Sequence, residues 1–328
     1  MERDTLSLTE PKSSRVVVRI QAVSLNYRDL LVLQNASGDT RDGLVPASDA
    51  AGIVEAVGPG VTRWKIGDRV SPMFFANWLS GPFKSRHLTS ALGGGSIDGV
   101  LCERITTDEN ALIGVAAHLS MAEAATLPCA AVTAWHALFA RGNLLADQTV
   151  LIQGTGGVAV FALQLAKARG ARPIVISSSD VKLERAKSLG AWRTINYRSE
   201  PNWEVAVLKL TEGEGVDHVL ELGGPETFDR SVAAIASGGS IAQIGVLTGF
   251  GPRPNLLPLQ FKNATIHGIC VGSGEHFADL NRFLEQQNVR PIIDKTFDYS
   301  EAAAAFGSLK AAQHFGKIVI TLPTSGND

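Results

Sequence analysis

Between Thr149 and Ile269 short apolar runs alternate with longer stretches that carry charge on one side. Thr149-Val150-Leu151-Ile152-Gln153 and Pro173-Ile174-Val175-Ile176-Ser177 have the continuous apolar character of strands buried on both faces. Val158 to Arg169 reads as a helix. Its first half is uncharged, Lys167 and Arg169 sit in its last turn where cations suit the helix dipole, and Gly170 closes it. A second helix spans Asp180 to Leu189 and stops at Gly190. Further strands are expected at Thr194–Asn196, His218–Glu221, Ser240–Ile244 and Thr265–Ile269. This alternation predicts an α/β fold with a doubly wound parallel sheet. The first 120 or so residues differ. Strand candidates Arg15–Ala22 and Ala51–Val57 are separated by turn signals at Gly58-Pro59-Gly60, Gly67-Asp68 and Gly93-Gly94-Gly95, so a mostly β domain with long loops is expected. Helices at Phe277–Gln287 and Glu301–Ala311 and a strand at Lys317–Leu322 complete the chain.

The length, 328 residues, suits two domains at roughly 150 residues each. With 45% hydrophobic and 19% charged residues, the chain has too much apolar character for disorder. A net charge of -2 supplies no basic field for nucleic acid. No apolar run reaches the roughly 20 residues of a membrane helix, and the charged start Met1-Glu2-Arg3-Asp4 lacks a signal-peptide core. Cys102, Cys129 and Cys270 are scattered and odd in number. They predict neither disulfides nor a four-cysteine zinc lobe, and a cytoplasmic setting follows.

Gly154-Thr155-Gly156-Gly157-Val158-Ala159 follows a strand and opens a helix. The spacing fits GxGxxG/A. Gly154 allows the tight turn, Gly156 lets backbone approach a pyrophosphate, and a small residue at 159 lets helix and strand pack closely. Thr155, Gly157 and Val158 complete a loop whose free N–H groups take the anion. At the end of the next strand, where an NAD site usually carries an acidic residue, stand Ser177, Ser178 and Ser179. Asp180 is expected as a helix cap, and Lys182 lies one turn beyond. Hydroxyls and a cation suit a 2′-phosphate, so NADPH is expected, with NADH possible.

These features sit in a longer series of blocks. They are Ser24-Leu25-Asn26-Tyr27-Arg28-Asp29-Leu30, Ala50-Ala51-Gly52-Ile53-Val54, Gly67-Asp68-Arg69-Val70, Ala124-Ala125-Thr126-Leu127-Pro128, Thr133-Ala134-Trp135, Ile195-Asn196-Tyr197-Arg198 and Gly316-Lys317-Ile318-Val319. In this order the chain resembles the medium-chain dehydrogenase/reductase superfamily, and within it the quinone oxidoreductase-like branch often filed as zinc-type alcohol dehydrogenase-like. The resemblance implies a GroES-like catalytic domain over residues 1–121 and 272–328, and a Rossmann dinucleotide-binding domain over 122–271. It implies that the chain lacks a further strand that relatives carry before Asp4–Glu10. It also places Thr133, Tyr197, Gly245, Val246, Leu247, Cys270 and Val271 at the cofactor, and implies a homodimer paired through Ala264–Val271.

Zinc-dependent relatives take the catalytic metal on a cysteine, a histidine and a second cysteine. Here Asn26 and Ser48 stand at the first two positions and only Cys129 remains. A zinc site needs at least three protein ligands, so no zinc is expected. Hydride would pass from NADPH to a small carbonyl substrate, a quinone or an activated alkene (enone or enal). Asn26 and Tyr27 are the candidates to hold the developing oxyanion, with Tyr27 a candidate proton donor. Asp49 is expected to pair with Arg28 or another cation. Phe74, Phe75 and Trp78 either favour a planar substrate or pack a loop. The other readings are an alcohol/aldehyde oxidoreductase and a non-catalytic NADPH-binding sensor or structural protein.

Overall fold

The computed structural model describes residues 11–323, except Ser37, Asp39, Ser96, Phe250 and Pro252. The strand expected to be missing before Asp4–Glu10 falls outside these residues. The strands, in chain order, are β1 (Arg15–Leu25), β2 (Asp49–Val57), β3 (Arg69–Pro72), β4 (Arg104–Asp108), β5 (Leu112–Gly114), β6 (Thr149–Gln153), β7 (Arg172–Ser177), β8 (Arg193–Asn196), β9 (Val216–Glu221), β10 (Ile235–Gln243), β11 (Thr265–Gly268), β12 (Ile293–Asp298) and β13 (Lys317–Thr321). They divide between two compact units, Met1–Val132 with Gly272–Asp328, and Thr133–Val271. Residues 122–132, assigned to the dinucleotide-binding half on sequence, cluster with the first unit.

In the second unit the sheet runs β11-β10-β9-β6-β7-β8, with every pairing parallel. The first strand in sequence, β6, is central, and the chain winds outward from it in both directions. Strand order therefore reverses between β6 and β9, which opens a crevice at the carboxyl ends of these strands. Every residue of β6 is buried, which is why the strand reads as an unbroken apolar run. Trp203 and Val207 of one helix and Phe228 and Val232 of another close over Leu151, Ile174, Val219 and Ile241. Each such side chain, fully buried, contributes about 1.5–3 kcal/mol.

In the first unit the sheet runs β12-β13-β1-β2-β3-β5, with β4 also on β1. Here β1 pairs antiparallel with β2, β4 and β13. It runs three residues beyond the expected Ala22 because β13 supplies partners for Ala22 to Leu25. Val16, Val18, Ile20, Val54, Val70, Leu112, Ile318 and Ile320 share a core with Phe306 and Leu309 of the helix Ala302–Lys310. The stretch 121–141, unassigned from its pattern, is a chain of helical turns. Two of them, Leu127–Ala131 and His136–Arg141, are widened to π geometry.

Phe74, Phe75 and Trp78 are buried. Phe75 packs on Phe74 with ring centroids 4.7 Å apart, and Trp78 stacks on His87 at 5.7 Å. The Trp78 indole donates to the Gly81 carbonyl at 2.9 Å. These rings are the core of a long loop, which is the packing role of the two expected for them.

Candidate active site

The glycine turn leads from β6 into the helix Gly157–Ala168. Gly154 has φ +80°, a conformation glycine adopts without cost, and its N–H donates to the Ile176 carbonyl at 2.7 Å. Gly156, the residue before the helix, has an ordinary φ of -79° and caps nothing with a side chain. Backbone conformation therefore does not require glycine there. Nor does the protein's own packing: among the described residues no atom other than those of its chain neighbours lies within 4 Å of where its Cβ would stand. The result is an open cradle against the N–H groups of a helix N-terminus, the arrangement that takes a pyrophosphate. The residues present fit a dinucleotide.

Other expected cofactor residues lie along the same carboxyl edge of the sheet. Ser177, buried, ends β7, and the Tyr197 N–H donates to its carbonyl at 3.1 Å, which places Tyr197 beside Ser177; Ser178 and Ser179 follow in the chain. The helix cap is Ser179, not Asp180: its extended backbone precedes the helix and its hydroxyl accepts from the Lys182 N–H at 3.4 Å. Asp180 is already helical and accepts from Asn196 Nδ2 at 2.7 Å. After β10, the N–H groups of Ile244 and Gly245 both reach the Glu221 carbonyl at 3.0 Å. A Cβ at 245 would stand 1.8 Å from the Leu222 carbonyl oxygen, so the protein's own backbone demands that glycine. Val246 follows, and Leu247 is exposed. Beyond β11, Cys270 is exposed, while Val271 is buried with φ +52°, an uncommon conformation for a β-branched residue. His136 Nδ1 holds its carbonyl at 2.8 Å. Thr133 is buried in the helical turn Val132–Trp135, outside the sheet.

Sequence reasoning missed the floor of this edge. Glu221, at the end of β9, is fully buried. Its carboxylate accepts from Gln153 Nε2 (2.7 Å), the Ser231 hydroxyl (2.5 Å), the Gly224 N–H (2.8 Å) and the Thr227 hydroxyl (2.6 Å). Gln153 Oε1 in turn accepts from the N–H groups of Leu222 and Gly223. One carboxylate thus ties β6, β9 and the next helix together where the strand order reverses. The run His218-Val219-Leu220-Glu221 was legible as a strand, but an acidic residue at its end carries no mark of being buried.

The second constellation lies within the first unit, at the end of β1. Asn26 precedes the helix Tyr27–Leu33. It is 8% exposed, whereas Tyr27 is 43% exposed. The Asn26 N–H donates to Asp29 at 2.7 Å, and its Oδ1 accepts from Lys317 Nζ at 2.6 Å. Lys317, 3% exposed at the start of β13, also donates to the Leu25 carbonyl at 2.7 Å. Asp49, fully buried at the start of β2, accepts from the Ser48 hydroxyl (2.7 Å) and the Cys129 N–H (3.0 Å). The π turn Leu127–Ala131 frees that N–H for Asp49. Arg28 is not the partner of Asp49; it donates to Asp29 at 3.2 Å and to the Leu92 carbonyl at 3.0 Å. The cation beside Asp49 is Lys317.

Burial pushes the Asp29 carboxyl up to about 6, with Arg28 opposing the rise. Burial also raises Asp49, against the pull of the Lys317 ammonium and the Asn26 amide. That amide lies close enough to lower Asp49, yet among the described residues Asn26 Nδ2 meets no partner at hydrogen-bonding geometry. Burial, and after it the Asp49 carboxylate, raises the Cys129 thiol well above its ordinary value. Among the described residues no group of three or more His, Cys, Asp or Glu is arranged to hold a metal ion. None of the described helices is long and apolar enough to cross a membrane.

A dinucleotide cradle on a doubly wound sheet, in a chain whose other unit is a β domain with a buried polar cluster, defines a nicotinamide-dependent oxidoreductase. The alcohol dehydrogenase GroES-like domain matches residues 12–117, and the zinc-binding dehydrogenase domain matches 157–286. A zinc-type alcohol dehydrogenase-like protein of Schizosaccharomyces pombe is 41% identical, over 94% of this chain and 90% of its own. A solved structure from Sinorhizobium meliloti 1021, provisionally named as an alcohol dehydrogenase, has a TM-score of 0.91 and 43% identity, covering 96% of this chain and 92% of its own. A quinone oxidoreductase of Pseudomonas syringae pv. tomato DC3000 aligns with a TM-score of 0.79 and 27% identity, covering 98% and 95%. The chain belongs to the medium-chain dehydrogenase/reductase superfamily. It is an NAD(P)H-dependent oxidoreductase.

Proposed function

We propose that this protein is a zinc-independent, NADPH-dependent reductase of quinones or activated alkenes. The observation that carries the reading is Asn26. It replaces the first metal-binding cysteine of zinc-dependent relatives, and it holds a buried amide that lowers Asp49 while its Nδ2 meets no partner at full hydrogen-bonding geometry among the described residues. Ser48 replaces the histidine and is bonded to Asp49. The remaining ligand position, Cys129, supplies one thiol, whereas a zinc site needs at least three protein ligands. A lysine ammonium in the same cluster opposes a second cation there.

NADPH, when bound, supplies a hydride. Arrival of that hydride at the β-carbon of an enone shifts the alkene electron pair toward the carbonyl, and the oxygen takes up negative charge. Asn26 Nδ2 is the donor to that oxygen. A proton then reaches the α-carbon from solvent or from exposed Tyr27, which gives the saturated ketone. A quinone takes the hydride and a proton in the same sense and leaves as the hydroquinone. The edge strand β11 is read as the pairing surface for a second copy; sedimentation as a monomer at micromolar concentration would rule that out.

Purified protein with NADPH is expected to turn over quinones, enones and enals and to leave simple aldehydes untouched, with no stoichiometric zinc. One zinc per chain lost with Cys129→Ser would sink the metal-free reading. Oxidation of simple alcohols would favour the dehydrogenase reading, and tight NADPH binding without any turnover a sensor.

The choice of NADPH rests on Ser178, Ser179 and Lys182. Lys182→Ala should weaken NADPH about tenfold, or about 1.4 kcal/mol, and leave NADH unchanged in a fluorescence titration. Equal losses for both would defeat the assignment.

A further inference from the structure

We infer that Lys317 is a positioning residue that sets which end of the Asn26 amide faces the substrate. The inference rests on the reading of Asn26 as the oxyanion donor and extends it.

An asparagine amide can present either its oxygen or its nitrogen to a given neighbour, and its partners decide which. Lys317 decides here, because an ammonium only donates. Its Nζ stands 2.6 Å from Asn26, so the atom facing it is Oδ1, and Nδ2 is turned to the opposite side. The lysine is itself fixed. It is buried at the first residue of β13 and bonded to the Leu25 carbonyl, the residue before Asn26. The Asn26 backbone is clamped as well, its N–H on Asp29 and its carbonyl on the Asp29 N–H at 2.9 Å.

Nδ2 is the polar group of Asn26 that remains; it is buried on the side of Asp49, whose carboxyl it lowers, and meets no partner at full hydrogen-bonding geometry among the described residues. A buried donor in that state costs free energy until an acceptor arrives. A cation on the oxygen end also draws electron density from the nitrogen end, which makes Nδ2 a stronger donor. Asp29 and Asp49 are the carboxylates that balance the ammonium, and Arg28 and Cys129 complete the charged and titratable groups around it. With the lysine's donors removed, the amide is free to flip and show Oδ1 to the substrate oxygen, which is repulsive.

The test is a double-mutant cycle on NADPH-dependent reduction of 2-cyclohexenone and 1,4-benzoquinone. Asn26→Ala should lower kcat about 100-fold, the scale of a lost oxyanion donor. Lys317→Met should lower kcat about tenfold with the NADPH dissociation constant unchanged. The double variant should be no slower than Asn26→Ala. Asn26→Asp, which keeps an acceptor for Lys317, removes the donor and adds a negative charge beside Asp49, should be as slow as Asn26→Ala. Unchanged turnover in Asn26→Ala would end the reading of Asn26 itself. A slow Asn26→Ala beside a normal Lys317→Met, or losses that multiply in the double variant, would overturn the positioning role and leave Asn26 standing. Should Lys317→Met not fold, the wild-type protein with NADP+ decides by NMR. The Asn26 side-chain amide, assigned by its absence in Asn26→Asp, should shift when 4-nitrophenolate is added. An unmoved signal overturns the proposal.

Discussion

Gly156→Val is expected to lower NADPH affinity by about 100-fold or more, equivalent to about 2.7 kcal/mol, while the protein stays folded. Both halves follow from the same local geometry. The φ of -79° and extended ψ at Gly156 suit valine, and among the described residues nothing but its chain neighbours stands within 4 Å of the new Cβ. Urea or thermal unfolding should therefore place the variant within about 1 kcal/mol of the wild type. The volume that the protein leaves open is the volume that the pyrophosphate needs, so the two valine methyl groups exclude it from the helix N-terminus. Wild-type affinity in the variant would mean that the dinucleotide does not bind at this turn.

Glu221→Ala is expected to remove about 3 kcal/mol of stability or more. The change strands the Ser231 hydroxyl proton and the Gly224 N–H, and leaves Gln153 Nε2 with only Ser231 and the Thr227 hydroxyl with only the Gly224 carbonyl. Unsatisfied buried groups each cost about 1–3 kcal/mol before the structure relaxes. The midpoint of thermal unfolding should fall by roughly 10 °C, at about 2–4 °C per kcal/mol. NADPH binding should weaken too, because the turn Leu222-Gly223-Gly224 loses its anchor beside the cradle. Glu221→Gln, which retains two acceptor lone pairs on its oxygen, should lose less. A Glu221→Ala midpoint close to that of the wild type would show the network to be dispensable.

The strands of the second unit were legible because a doubly covered parallel sheet writes its burial as unbroken apolar runs, as in β6. The strand β12, Ile-Asp-Lys-Thr-Phe-Asp, was not. It is an edge strand with half-buried and exposed positions, and nothing in its pattern separates it from a loop. The same limit explains 121–141, where apolar positions fit no single period because π turns interrupt the helix. At the site, Asn26, Ser48 and Cys129 were found from their places in sequence blocks. The role of Lys317 was not, since a lysine is almost always a solvated residue. Its burial follows from a contact made across 291 residues. The cap at Ser179 was misread by one residue because serine and aspartate cap equally well, and backbone conformation alone separates them.

The placement of Lys317 on β13 also sets when the site can exist. On the ribosome Asn26 emerges 291 residues ahead of the side chain that fixes it, and β1 waits as long for its partner at Ser24↔Val319. Meanwhile the intervening unit, whose strands pair only with one another, can fold. A nascent or truncated chain that stops before Lys317 therefore has its dinucleotide cradle but not the clamp on Asn26. On the proposed role of Asn26, cofactor binding and reduction are then separable in time, and until β13 is made the Ala22–Leu25 part of β1 lacks that partner, an open sheet edge.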